Sequence, residues 1–386
     1  MTTEWNYSET PEFDQHLIEI RRHLHQYPEL SNEEFETTAS IKKWLAEADI
    51  RVIDYGLKTG VIAEVGKPAG EGPIIAIRAD IDALPIKEET GLPFASLIEG
   101  KMHACGHDFH TSAIIGTALL LKQREHEING TVRFLFQPAE EKALGALKVI
   151  ESGALEGVQA VFGMHNKPDL PVGTVGVKEG PLMAAADGFV VEVDGVGTHA
   201  AVPEAGVDPI VTAAHIVTAL QSIVSRNVGT LQSAVISVTK LHSGTAWNII
   251  PEKAVLDGTI RTFEEEVRQK VLARFEQVVA GVAEAFGTKA RVRWIQGPPP
   301  VSNDKRLAAV AEAAAERAGL KAIVPVPSAA GEDFSFYQKQ VPGVFVFMGT
   351  AGPQEWHHPA FDLNEKALPL SARYFAELAL LALDEY

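Results

Sequence analysis

The sequence predicts an α/β protein in two parts: a larger domain built on a parallel-rich sheet, and a ferredoxin-like β-α-β-β-α-β unit inserted into it. Three observations predict this. Short apolar runs alternate with helical patterns at both ends of the chain, the order of elements changes in the middle, and a Gly297-Pro298-Pro299-Pro300 breaker closes that middle stretch. With 386 residues, 46% of them hydrophobic, the chain is too long for one comfortable core. The expected division is 1–185 and 298–386 for the larger domain, with 186–297 as the insertion.

In chain order, Ser31 followed by Glu34 reads as a capping box, and Phe35, Ile41 and Leu45 form the apolar stripe of the helix it would start. The runs Val61–Val65, Ile74–Ile77, Val132–Phe136 and Val158–Phe162 suit buried strands, with helices over His110–Lys122 and Ala143–Glu151 between them. The middle then reads strand Phe189–Val193, helix Asp208–Ser225, strands Ala234–Leu241 and Ala254–Thr262, helix Glu265–Phe286 and strand Ala290–Ile295. After the breaker come a helix over Arg306–Ala318, a strand over Val344–Met348 and a closing helix from about Ala367. The sequence contains no repeat or low-complexity segment.

A formal charge of -17 disfavours nucleic acid and anionic membranes as partners, so neither is expected. No run approaches the roughly 18 apolar residues of a membrane span. The start, Met1 to Asp14, carries Glu4, Glu9, Glu12 and Asp14 where a leader would be basic and then apolar. The single cysteine, Cys105, rules out an intrachain disulfide and suits a reducing compartment, so a cytoplasmic location is expected.

The densest chemistry lies in His103-Ala104-Cys105-Gly106-His107-Asp108-Phe109-His110. Cys105 and His107 flank a glycine, so a tight loop can turn both side chains toward one ion. Thiolate with imidazole suits zinc and neighbouring divalent metals. Glu140 and Glu141 follow the strand Val132–Phe136, His165 follows the strand ending at Phe162, and Asp80 and Asp82 follow Ile74–Arg78. These are strand-end positions, where α/β sheets place ligands, and carboxylates crowded there repel one another unless a cation lies among them. Singly, each has a plainer reading: Cys105 as a small buried hydrophobe, the glutamates as a solvated turn, a lone histidine as a structural residue. His23, His25, His126, His215 and His242 stay in that last class. Jointly, the set points to a metal cluster.

Five segments carry a specific resemblance: Arg78-Ala79-Asp80-Ile81-Asp82-Ala83-Leu84-Pro85, Met102-His103-Ala104-Cys105-Gly106-His107-Asp108, Phe136-Gln137-Pro138-Ala139-Glu140-Glu141, Gly163-Met164-His165 and Trp356-His357-His358-Pro359-Ala360-Phe361. Together they resemble the amidohydrolase branch of the aminoacylase and glutamate carboxypeptidase family of metallopeptidases, most of all its bacterial N-acyl amino acid hydrolases. The resemblance runs through essentially the whole chain. It implies two divalent ions per subunit (zinc, manganese, nickel or cobalt) held by Cys105, His107, Glu141, His165 and His357. His357 is preferred to His358 because the pattern is His-x-Pro-x-Phe with its first histidine on the metal. It further implies Glu140 as general base, Asp80 as a residue orienting a ligand by hydrogen bond, and the insertion as a lid and dimerisation domain of a homodimer.

The reaction this implies is hydrolysis of the acyl amide of small N-acyl amino acids. Gly195-Val196-Gly197-Thr198-His199-Ala200, Ala246-Trp247-Asn248-Ile249-Ile250-Pro251 and Gly258-Thr259-Ile260-Arg261-Thr262-Phe263 match family motifs, although Thr198 stands where many relatives have glycine. By resemblance His199 stabilises the oxyanion, and Asn248 and Arg261 hold the substrate carboxylate. Read without it, Arg261 equally ends an exposed strand and His199 equally sits in a mobile loop. Gly331-Glu332-Asp333-Phe334 matches a further signature, whose backbone at Gly331 would line the pocket, and reads equally well as an acid-rich helix start. Cys105 as a nucleophile ranks below Cys105 as a ligand, given His107 so close. The competing readings are a metallo-dipeptidase or aminopeptidase of the same clan and a noncatalytic metal-binding scaffold. Nucleotide and serine-hydrolase chemistry lack their motifs.

Overall fold

The computed structural model describes residues 10–386; the acidic start through Glu9 lies outside the described residues. The chain forms two compact units: one comprises the described residues through Gly180 with Asn303–Val326 and Asp333–Tyr386, the other Pro181–Ser302 with Pro327–Glu332. Gly331 therefore belongs to the second unit, although it lies far along the chain from the rest of that unit.

The first unit is built on an eight-stranded mixed sheet whose central strands, Thr131–Gln137, Ile74–Asp80, Val158–Lys167 and Gly343–Gly349, run parallel to one another. Ile74–Asp80 and Thr131–Gln137 are buried along their whole length, as expected of strands covered on both faces. Helices Pro11–Gln26, His107–Gln123 and Ala367–Leu383 share the core with them through Leu17, Ile114, Phe134, Phe162 and Tyr374. Gly116 makes this packing possible, because a Cβ there would lie 2.7 Å from Leu17 and 2.8 Å from Ala372. The parallel strands all end on one side, which gathers Asp80, Gln137 and His165 at neighbouring strand ends.

The second unit is an antiparallel sheet in the order Ala234–Ser243, Lys253–Thr262, Ala185–Asp194, Lys289–Ile295. Numbered along the chain this is 2-3-1-4, the ferredoxin-like arrangement. Phe189, Val191 and Val193 alternate onto one face and pack with Ile216 and Leu220 of helix Pro209–Asn227 and with Phe275 of helix Glu265–Ala285. No helix among the described residues is long and apolar enough to cross a membrane.

Two local expectations are corrected. Helix Phe35–Glu47 has Glu34 as its N-cap with no side-chain cap bond, so Ser31 and Glu34 form no capping box. Both side chains are recruited by distant partners instead: Ser31 Oγ donates to Asp82 Oδ2 at 2.6 Å and Glu34 Oε1 accepts from the Ala139 amide at 2.8 Å. The helix expected from Ala143 begins at Gly145, since Ala139 and Ala143 adopt positive φ (55° and 52°) on either side of a single 3₁₀ turn, Glu140–Lys142. That pair of left-handed residues turns a helix start into a tight projection for the two glutamates.

Candidate metal centre

Cys105, His107 and His165 offer donor atoms within 4.8 Å of one another, and so do Cys105, Glu141 and His357, and His107, Glu140 and Glu141. The first unit thus gathers all five expected ligands and the expected base. Cys105 Sγ lies 3.4 Å from His165 Nε2, and His357 Nε2 lies 3.4 Å from Glu141 Oε1. His357 sits at φ 65° with its amide bonded to Ala104 O at 2.8 Å, tying its loop to the cysteine loop. His358 spends Nδ1 on the Ala360 amide at 3.0 Å, which leaves His357 as the histidine turned to the cluster.

The ring orientations suit a cation. His107 Nδ1 donates to Asp82 O at 2.9 Å and His165 Nδ1 donates to Asn166 O at 2.9 Å, so in both rings Nε2 is the nitrogen turned to the cluster. His107 Nε2 and Glu141 Oε1 are buried without a hydrogen-bond partner, a cost that a shared cation removes. Burial works against charge on His107, yet Asp80, Asp82 and Glu141 outweigh it and push its pKa up to about 10, which reports excess negative charge around the ring. Burial and neighbouring His110 hold His165 well below the usual histidine range, neutral as a ligand must be. Soft sulfur, imidazole and carboxylate together fit zinc, manganese, nickel or cobalt.

Asp80 differs from its expected role. Its hydrogen bonds go to His110 Nδ1 and Arg78 Nη1, both at 2.7 Å, and it only approaches His107 Nε2, at 3.7 Å. His110, although within the cluster, has both nitrogens engaged, since Nε2 accepts from the Asn166 amide at 2.9 Å. The orienting contact to His107 comes from Asp82, which the sequence reading places among the strand-end carboxylates of the cluster without giving it this contact. Behind the loop, Asp108 Oδ2 accepts from Arg21 Nε at 3.1 Å and from His25 Nδ1 at 2.9 Å, anchoring the residue next to His107 to the first helix.

The remaining expected site residues lie in the second unit, in two groups. His199 is exposed and pairs with Ile249, while Asn248 O accepts from the Ala200 amide at 3.0 Å, so these two share one small ladder. Arg261 is half-buried with Gly331 against it: a Cβ on Gly331 would stand 3.6 Å from Arg261 Nη1.

Fold and donor set together define a two-unit hydrolase with a metal-ligand cluster at the ends of its parallel strands. The profile of peptidase family M20/M25/M40 matches residues 76–381. An N-acetylcysteine deacetylase of Bacillus subtilis (strain 168) is 55% identical over 373 residues, covering 96% of this chain and 98% of that relative. IAA-amino acid hydrolase ILR1-like 4 of Arabidopsis thaliana is 38% identical, covering 94% and 84%. The crystal structure of Bacillus subtilis YxeP, described as a dinuclear metal binding peptidase from the M20 family, shares 51% identity at a TM-score of 0.89, covering 98% of this chain and 100% of that one. The chain belongs to peptidase family M20/M25/M40, in its amidohydrolase branch.

Proposed function

We propose that this amidohydrolase removes the acetyl group from N-acetylcysteine and similar short N-acyl amino acids, with two divalent cations per chain. The observation that carries the reading is the convergence of Cys105, His107, Glu141, His165 and His357 beside Glu140, with two buried donor atoms left unpartnered. Two Bacillus subtilis relatives, at 55% and 54% identity, are named for deacetylation of N-acetylcysteine, which supports the choice of substrate.

Those five side chains would hold the cations, which would supply Lewis acidity toward the acyl carbonyl and the attacking water. Glu140 takes the proton of the attacking water on its carboxylate and returns it to the leaving nitrogen. Arg261 makes no ion pair with a carboxylate among the described residues, and burial holds its pKa below the usual arginine value. A half-buried guanidinium without a carboxylate partner is suited to binding the substrate carboxylate bidentately, with Asn248 and the Gly331 backbone completing that contact. His199 donates to the developing oxyanion.

The second unit, 186–297 in the sequence reading, acts as lid and dimerisation domain. Its strand Ala234–Ser243 is a free sheet edge, and Trp247 nearby in the chain is 94% exposed, features that suit pairing with a second copy. A cytoplasmic setting would keep the Cys105 thiolate reduced.

The test is a turnover panel of N-acetyl and N-benzoyl amino acids against dipeptides with free amines. N-acetylcysteine is expected to exceed every dipeptide in kcat/KM by about tenfold or more. Preference for the dipeptides would replace this reading with that of a metallo-dipeptidase.

A further inference from the structure

Asn166 is fully buried at the end of the strand Val158–Lys167, and all four of its hydrogen-bonding groups are engaged. Its side-chain Nδ2 donates to Cys105 O at 2.6 Å. Its backbone carbonyl accepts from His165 Nδ1 at 2.9 Å, and also from Trp356 Nε1 at 3.1 Å. Its side-chain Oδ1 accepts from the same indole at 3.2 Å, and its backbone amide donates to His110 Nε2 at 2.9 Å. The amide orientation follows from the partners: the reverse would set Oδ1 against the Cys105 carbonyl and Nδ2 against the indole N–H.

Three of the four chain segments that carry the donor set are reached in this way. Cys105 is gripped through its carbonyl, His165 through its ring, and the His357 segment through the preceding Trp356. The Trp356 ring also leans on His165, with centroids 4.3 Å apart. Gly106 makes the close approach possible, because a Cβ there would lie 2.4 Å from Asn166 Nδ2. Asp80 joins the same web through His110, whose Nδ1–H it accepts. We propose that Asn166 is a positioning residue that sets Cys105, His165 and the His357 segment in register for a cation, acting through them and touching neither cation nor substrate.

This rests on the reading of Cys105 and His165 as ligands, and the experiment separates the two claims. The full chain is stripped of metal and titrated with cobalt(II), whose thiolate charge-transfer absorption reports Cys105 directly, and cobalt affinity is measured by chelator competition. Asn166→Leu keeps the branched outline, at a larger volume, and removes all three side-chain bonds, to Cys105 O, His110 Nε2 and Trp356 Nε1; Trp356→Phe keeps a ring and removes only the indole donor. The native chain is expected to show the band. Asn166→Leu should lose most of it and bind cobalt at least about tenfold more weakly, with Trp356→Phe in between, at melting temperatures close to native. Lower melting temperatures with native band and native affinity would mean a purely structural role and overturn the proposal. Should Asn166→Leu fail to fold, native band and affinity in Trp356→Phe would overturn it alone. Absence of the band in the native chain would overturn the ligand reading, and this inference with it.

Discussion

Asp82 Oδ1 accepts the backbone amide of Glu140 at 3.1 Å. The other oxygen accepts the amide of Glu141, also at 3.1 Å, and the Asp82 carbonyl takes the Nδ1 proton of His107. One strand-end residue therefore sets the proposed base, Glu140, and the proposed ligand Glu141 against His107. With Glu34 holding the Ala139 amide, three successive N–H groups of the turn are clamped by buried carboxylates from outside it. Such a turn cannot drift, and a base must be positioned to within fractions of an ångström to be useful.

The division of labour within that turn gives the first prediction. Glu140→Gln keeps the shape and cannot accept a proton, so turnover should fall roughly a hundredfold or more with normal metal content and near-normal substrate binding. Glu141→Gln should instead lower metal occupancy. Metal analysis beside steady-state kinetics checks both, and reversed phenotypes would exchange the two roles.

A second prediction concerns stability and pH. His25 is buried between Asp108 and Glu88, its Nδ1 2.9 Å from one and its Nε2 3.2 Å from the other. Burial alone would lower its pKa, and Arg21 pulls the same way, but the two carboxylates prevail and raise it from 6.5 to about 9. A raised folded-state value means that the charged ring stabilises the fold. That contribution is complete below about pH 6.5, declines from there and is gone above about pH 9, an amount of about 3 kcal/mol. The stability difference between native protein and His25→Gln, from urea unfolding at saturating metal, should shrink by that order between pH 6 and pH 10. A difference independent of pH would show His25 to be neutral in the fold.

The third prediction concerns assembly. His199 is exposed on a unit that carries none of the five expected ligands, and the family resemblance has it serving the site of a partner chain. Glu140→Gln and His199→Ala chains, each inactive alone, are unfolded together and refolded. If His199 acts across a twofold dimer, each mixed dimer has one intact site, and random pairing restores about one quarter of all sites. No recovery, with mixed dimers shown to be present, would place His199 in its own chain's site.

Much of this cluster was legible because its candidate donor residues sit in short sequence motifs, several of them at strand ends. Glu140-Glu141 and His165 each come at the end of an apolar run, and an α/β sheet brings such ends together, while Cys105-Gly106-His107 is marked by its own donor spacing around a glycine. What could not be read was the support. Ser31 and Glu34 satisfy a local capping pattern, and nothing local reveals that Asp82 and Ala139 compete for their side chains and win. His25 looks like any helix histidine until folding sets it between two carboxylates. Gly331 joins the second unit from more than two dozen residues past the end of the ferredoxin-like stretch, a return that no periodicity announces. Motif chemistry is local in sequence, whereas the hydrogen bonds that aim it are long-range.

The central claim is that hydrolysis by this chain depends on cations held by Cys105, His107, Glu141, His165 and His357. The most direct measurement is N-acetylcysteine hydrolysis by protein stripped with a chelator and then titrated with zinc, manganese, nickel or cobalt, with bound metal counted at each point. The account predicts that stripped protein is inactive and that activity returns with at least one of these metals, rising to a plateau at about two ions per chain. Undiminished turnover in protein shown to hold no metal would contradict it.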